Sequence, residues 1–338
     1  MATSTADHGA PQTGPRRRLR TITQPPHRYA LIVITIAIAM AGAFAISYSL
    51  ALGRPAPHHI PAAVIGDPST RPNLVAALEA ATHDGLDLHP YASLARAKQG
   101  IDAQQIYAAL LLNGGPPRLF VASAAGVSVA RLLEQIAMRI PARAGGPLSV
   151  VDLRPLPPSD PQGLVAFYVT IAATILGFVT MFQLRANAPG LSLRAWLVYV
   201  AILAAAGGLV LALITDPLLG ALRGPFAELW AALAAEVAVA ALFNSWMLAL
   251  IPRWAMVPTW GLLIAIGNAA SGGAVAPPLL PAFYRFVGRF LPNGATVETL
   301  RNAVYFQNHQ QLEPIIVEGA WLACSLAGLL VTARLKGR

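Results

Sequence analysis

The chain has 338 residues, 56% of them hydrophobic and only 12% charged, where an ordinary soluble domain has about a quarter charged. That balance excludes a soluble globular fold and argues for an integral membrane protein. The formal charge of +9 is not a nucleic-acid footprint, because it flanks apolar runs: residues 1–28 carry five Arg against one Asp, and Arg334, Lys336 and Arg338 lie at the far end.

In chain order, residues 1–28 are rich in Ser, Thr, Pro and Gly and then basic, and read as a disordered cytoplasmic tail. Residues 29–52 form an uncharged run, long enough for a transmembrane helix and too long for the apolar core of a signal peptide. Residues 53–162 hold nine basic and eight acidic side chains between two Pro-rich linkers. There IPAAVIG, LDLHPY, QIYAALLLN, RLFVASA and LSVVDLRPL alternate as strands with helical stretches starting at Arg71, Ala92 and Gly126. This predicts a small extracytoplasmic α/β domain inserted between helices 1 and 2. Little chemistry stands out within it. His58, His59, His83 and His89 lack metal-ligand spacing, Ser123 lacks a nucleophile-elbow frame, and Asp67 reads as a turn or cap residue. We expect neither a metal, a cofactor nor an enzyme.

Apolar runs return at Leu164–Gln183, Trp196–Thr215, Phe226–Ile251, Trp254–Ala276 and Ile315–Ala333, within a transmembrane region 163–338. With the first helix they predict an α-helical polytopic membrane protein with six transmembrane helices. Arg185, Arg194, Arg253 and the basic C-terminus fall on one side with the N-terminal tail, which predicts a multi-pass protein of the plasma (inner) membrane with both termini cytoplasmic. Glu228, Glu236 and Asn244 recur every eight residues, a drift of about 80° per step on a helix. Glu236 lies mid-span, where an ionisable group is costly and reads either as glue between helices or as a proton carrier. Gly319, Ala323 and Ala327, beside Ala320, Cys324 and Gly328, predict a small-residue helix contact in the last span, with Cys324 packed inside it. The link carrying Arg185, Asn187, Pro189, Gly190 and Arg194 is short and basic, a candidate docking surface for a cytosolic partner.

The stretch 267–306 is punctuated like a loop yet apolar like a span. Gly272-Gly273, Pro277-Pro278, Pro281 and Pro292 forbid one straight helix, so it reads as an external re-entrant segment sheltered by protein. Gly267, Asn268, Ser271, Gly272, Gly273, Leu280, Pro281, Phe283, Leu291, Pro292, Thr296 and Arg301, together with the order of spans, resemble type 2 ABC transporter permeases, in particular the phage-infection-protein (YhgE/Pip-like) branch. The resemblance implies a permease subunit of an ABC-type exporter, moving or helping to assemble a hydrophobic or envelope-associated substrate as a homodimer or heterodimer in the lipid bilayer. The chain has no G-x-x-x-x-G-K-[ST] phosphate loop, so a separate cytosolic ATPase subunit is expected and no nucleic acid. The alternatives are a non-transporting envelope scaffold or phage receptor, and a proton-coupled transporter using Glu236.

Overall fold

The computed structural model describes residues 27–307 and 309–337. The expected basic tail lies outside the described residues except for His27 and Arg28, which open helix α1, His27–Leu52. Residues through Ala45 and residues from Ile46 onward form two separate compact units.

After α1 the chain builds a five-stranded sheet: β1 Ile60–Ile65, α2 Pro72–Ala81, β2 Leu86–Pro90, α3 Leu94–Asp102, β3 Ala108–Leu111, β4 Arg118–Val121, α4 Val127–Met138 and β5 Ser149–Asp152. The strand order is β2-β1-β3-β4-β5, and every pairing is parallel except the β3–β4 hairpin. Local chemistry sets the boundaries. Pro72 opens α2, Ser93 accepts from the Arg96 amide to cap α3, and Asp67 accepts from the Ser69 amide at 2.8 Å. That Ser69 contact, on the side chain first and the backbone second, holds the Asp67 carboxyl below its usual range. Alternate residues of the strands divide between two cores. Ile60, Ala62, Val64, Leu110, Leu119 and Val121 pack against α2 and α4, and Ala63, Ile65, Ala109 and Phe120 against α3.

The bundle follows: α5 Val165–Asn187, α6 Leu193–Leu213 with a π-helical turn to Leu218, and α7 Phe226–Leu250. Helix α7 is its axis and buries most of its length against α5 and α6. Close approach depends on missing side chains: a Cβ on Gly177 would meet the Val237 carbonyl at 2.5 Å, and one on Gly208 the Ala234 amide at 2.6 Å. Next comes α8, Met256–Thr259, which continues as a π-helix over Trp260–Asn268. A turn at Pro277–Leu279, α9 Ala282–Gly288 and α10 Pro292–Tyr305 lead to α11, Leu312–Leu335.

Five helices among the described residues are long and apolar enough to cross a membrane: α1, α5, α6 with its π turn, α7 and α11. The protein is a helical multi-pass membrane protein. The expected span at Trp254–Ala276 differs: its helix covers Met256–Asn268, about 20 Å at 1.5 Å per residue, short of the ~30 Å of a bilayer core. Pro258 lacks the amide that an ordinary turn needs, and Gly272, at φ +73°, breaks the chain soon after.

A second correction concerns α11. Its small-residue ridge is uncovered in this chain: Gly319, Ala320, Ala323, Cys324 and Ala327 are exposed, a Cβ on Gly319 would meet nothing within 4 Å, and one on Gly328 would meet Trp246. The buried stripe runs instead through Pro314, Glu318, Ser325, Leu329 and Thr332. Burying Glu318 outweighs the close approach that small residues would offer.

Candidate functional site

The interior of the bundle is polar at one level. Glu236 of α7 is fully buried, and Glu318 of α11 is 6% exposed. Between them stands Thr296 of α10, whose Oγ1 lies 3.0 Å from Glu236 Oε2 and 3.2 Å from Glu318 Oε1. A hydroxyl has one proton to donate. It donates to one carboxyl, and the other contact is a hydrogen bond only when that carboxyl supplies a proton itself. The arrangement therefore fits one proton shared between two acidic side chains.

The second oxygen of Glu236 is hydrogen-bonded to Thr174 Oγ1 of α5, whose hydroxyl also reaches the Thr170 carbonyl at 2.9 Å, and Asn293 Nδ2 lies 3.4 Å from the same Glu236 oxygen. Asn293 also donates to Thr174 Oγ1 at 3.0 Å and to Asn268 Oδ1 at 2.8 Å. Three helices and the end of the π-helix thus converge on one carboxylate. Among the described residues Asn293 Oδ1 is buried without a hydrogen-bond partner. Gly267 makes room for this arrangement, because a Cβ there would collide with Asn293 Oδ1.

The other residues singled out from the broken stretch shape the backbone around this centre. Arg301 donates to the carbonyls of Gly272 at 2.9 Å and Gly273 at 3.4 Å. Ser271 Oγ donates to the Asn268 carbonyl and accepts from the Gly273 amide. Pro281 and Pro292 stand at the starts of α9 and α10, where a missing amide costs nothing. Ser47 donates to the Ala265 carbonyl at 2.5 Å and accepts from the Tyr284 hydroxyl at 3.0 Å. The contacts of Arg301 and Ser271, and that of Ser47 with Ala265, supply partners to backbone that a regular helix would have satisfied itself. Tyr107 of the sheet lies beyond Arg301; burial pushes its phenol up to about 12, with Arg301 opposing and Glu298 adding to the rise.

Asn244 does not join the site. It donates to the Phe178 carbonyl at 3.0 Å and accepts from Thr259 at 3.1 Å, pinning α5 and α8 to α7 at another level. Glu228 is exposed at the sheet-side end and accepts from Gln310. Reasoning from the sequence missed Thr174, Asn293 and Glu318 and did not pair Thr296 with Glu236. Glu318 had a readable signal, an ionisable residue inside the apolar run Ile315–Ala333. The threonines and Asn293 had none, since such residues are ordinary in helices.

At the opposite end of the bundle, the link between α5 and α6 borders a cavity of about 420 Å³. Arg185, Pro189, Gly190 and Ser192 line one side of it, and Leu248, Thr332 and Lys336 the other. Asn187 donates to its own helix at the Gln183 carbonyl, and neither it nor Arg194 lines the cavity. Among the described residues no group of three or more His, Cys, Asp or Glu is placed to hold a metal. Comparison with protein families, with curated proteins and with solved structures gives no match.

Proposed function

We propose that the chain is the permease subunit of an ABC-type exporter, coupled to a separate ATPase chain and paired with a second permease. In this reading it crosses the inner membrane six times, the broken stretch 254–276 making the fifth pass, with the sheet outside and both termini in the cytoplasm. The observation that carries it is the 420 Å³ cavity under the Arg185–Arg194 link, which opens between the ends of α5, α6, α7 and α11. A partner seated there touches four membrane helices at once. Only an element contacted differently in two nucleotide states transmits the energy of ATP, and this cavity offers such a contact.

The test is co-purification of the full chain in mild detergent, with identification of bound chains. An ATPase should co-purify with the wild type and stay absent when residues 187–192 become a Gly/Ser linker of equal length, the unfolding midpoint remaining unchanged. Absence of any ATPase from the wild type abandons this reading for an envelope scaffold.

The pair Glu236 and Glu318 favours a second reading, proton-coupled transport. Glu236→Gln keeps size and hydrogen bonding and removes ionisation. Loss of transport with an unchanged midpoint would support this reading, and full transport would end it.

A further inference from the structure

At the sheet-side end of the bundle lies a separate cavity of about 250 Å³, walled by the stretch from Ala270 to Pro277, by α9 and α10, and by the first turns of α11. Four charged groups line it: Arg285, Arg289, Glu298 and Glu313. Their formal charges sum to zero, and they are only loosely used by the protein. Arg289 and Glu313 stand 3.7 Å apart as an exposed pair. Arg285 spends one donor, on the His58 carbonyl at 3.2 Å, leaving most of a five-donor guanidinium free. Glu298 makes no hydrogen bond and no ion pair within 4.0 Å among the described residues. Burial raises its carboxyl above the usual range, Arg301, engaged with Gly272 and Gly273, opposes the rise from beyond contact distance, and Glu313 adds to it, so that a cation beside Glu298 would favour its charged form.

Phe283 and Phe286 of α9, with Phe290 in the turn that follows it, are 57%, 64% and 57% exposed. Arg285 of α9 and Arg289, which ends it, line the cavity instead. Phe286 and Phe290 stack edge to face at 5.3 Å, and Trp321 donates to the Phe290 carbonyl at 2.7 Å. Exposed aromatics beside arginines are the pattern of a segment that sits at the headgroup level of a bilayer.

We infer that this cavity binds the headgroup of a zwitterionic phospholipid bearing a primary amine, the phosphate on Arg285 and Arg289 and the ammonium on Glu298. Charge complementarity selects the class. Two guanidiniums form a fork for phosphate oxygens, the unpaired carboxylate takes a cation, and the net-neutral lining disfavours an anionic lipid. The cavity has no aromatic lining, so it has no cage for a quaternary ammonium, and an ammonium that donates hydrogen bonds fits better. Its volume is below the ~300–1,000 Å³ typical of pockets that enclose whole ligands, so the acyl chains stay in the bilayer. The site stands without the permease reading, because binding needs no ATPase.

Native mass spectrometry of the full chain, equilibrated with an equal mixture of phosphatidylethanolamine, phosphatidylcholine and phosphatidylglycerol, tests this. Phosphatidylethanolamine should be retained over both others. Glu298→Gln should lower its retention about tenfold without raising that of phosphatidylglycerol above it. Arg285→Lys, which keeps the charge but loses the fork, should weaken all three lipids. Equal retention of the three lipids by the wild type, or wild-type retention in Glu298→Gln, overturns the inference. Displacement of the lipid by an equal concentration of soluble phosphoethanolamine overturns the lipid as the occupant. A Glu298→Gln chain with an altered unfolding midpoint is replaced by Glu298→Asp, which shortens the reach and should give the same loss.

Discussion

The two ends of the bundle are built differently. At the sheet-side end the broken stretch is held from several directions: Ala276 and Leu279 enter the sheet's own core, Ala56 and His58 donate to the carbonyls of Leu279 and Pro278, Ser128 accepts from the Ala276 amide, and Gln104 donates to Asn302. At the other end a five-residue link borders an open cavity, and the clamps beside it are fewer: Lys336 donates to the carbonyls of Ala249 and Leu250, and Trp196 donates to Ser245 Oγ at 2.9 Å. The difference teaches where irregular backbone is tolerated. Chain that gives up helical hydrogen bonds at membrane depth must find other partners, and acquiring so many makes that end rigid. The link end has satisfied helices on both sides and needs no such partners.

The largest effect should come from breaking the rigid end. Leu279 is 2% exposed and packs with Ala276 against the sheet, so Leu279→Ala leaves a cavity in a core that two parts of the chain share. A loss of about 2–5 kcal/mol is expected, read as a lowered unfolding midpoint of the purified protein in detergent. A midpoint shift no greater than that of an exposed substitution such as Leu335→Ala would show that the two ends do not differ in this way.

A smaller effect should follow at the level of the carboxyl pair. Thr296→Val keeps the shape and removes the hydroxyl between Glu236 and Glu318, leaving buried acceptors without that donor, a cost of about 1–3 kcal/mol. Thr296→Ser restores the hydroxyl and should restore most of the stability. If valine and serine behave alike, the contact is packing and the shared-proton geometry has no energetic content.

What was readable in the sequence divides along the same line. Strands such as Ile60–Ile65 and the helices α5, α6, α7 and α11 follow from alternation and from apolar length, because each satisfies its own backbone or pairs locally. The breakpoints at Gly272, Pro281 and Pro292 were also legible, since Gly and Pro constrain the chain wherever they occur. The partners were not. That Arg301 serves the Gly272 and Gly273 carbonyls, or that Asn293 meets Glu236 across 57 positions, depends on how helices pack, and no local pattern encodes it. The spacing of eight placed Glu236 and Asn244 roughly on one side of α7, yet the drift of about 80° was enough to give them separate neighbours. The small residues of α11 misled because composition reports that a close contact is possible, while the burial of Glu318 decided which face turns inward.

The smallest expected effect lies at the link end and sharpens the comparison. Ser192 caps α6, its Oγ accepting from the Ala195 amide at 3.3 Å, and its own carbonyl accepts from Trp196 at 2.9 Å. Ser192→Ala removes the side-chain cap and costs about 1 kcal/mol. That cost should stay local, because the residue contacts the cavity and not the polar centre. Hydrogen exchange should accelerate at the amides of Leu193–Trp196, while those of α10 keep their protection and the unfolding midpoint moves little. A helix end that frays without disturbing Thr296 or Asn293 is what an independently mobile link requires. Faster exchange in α10 as well would mean that the two ends are mechanically one, and the division drawn between them would fail.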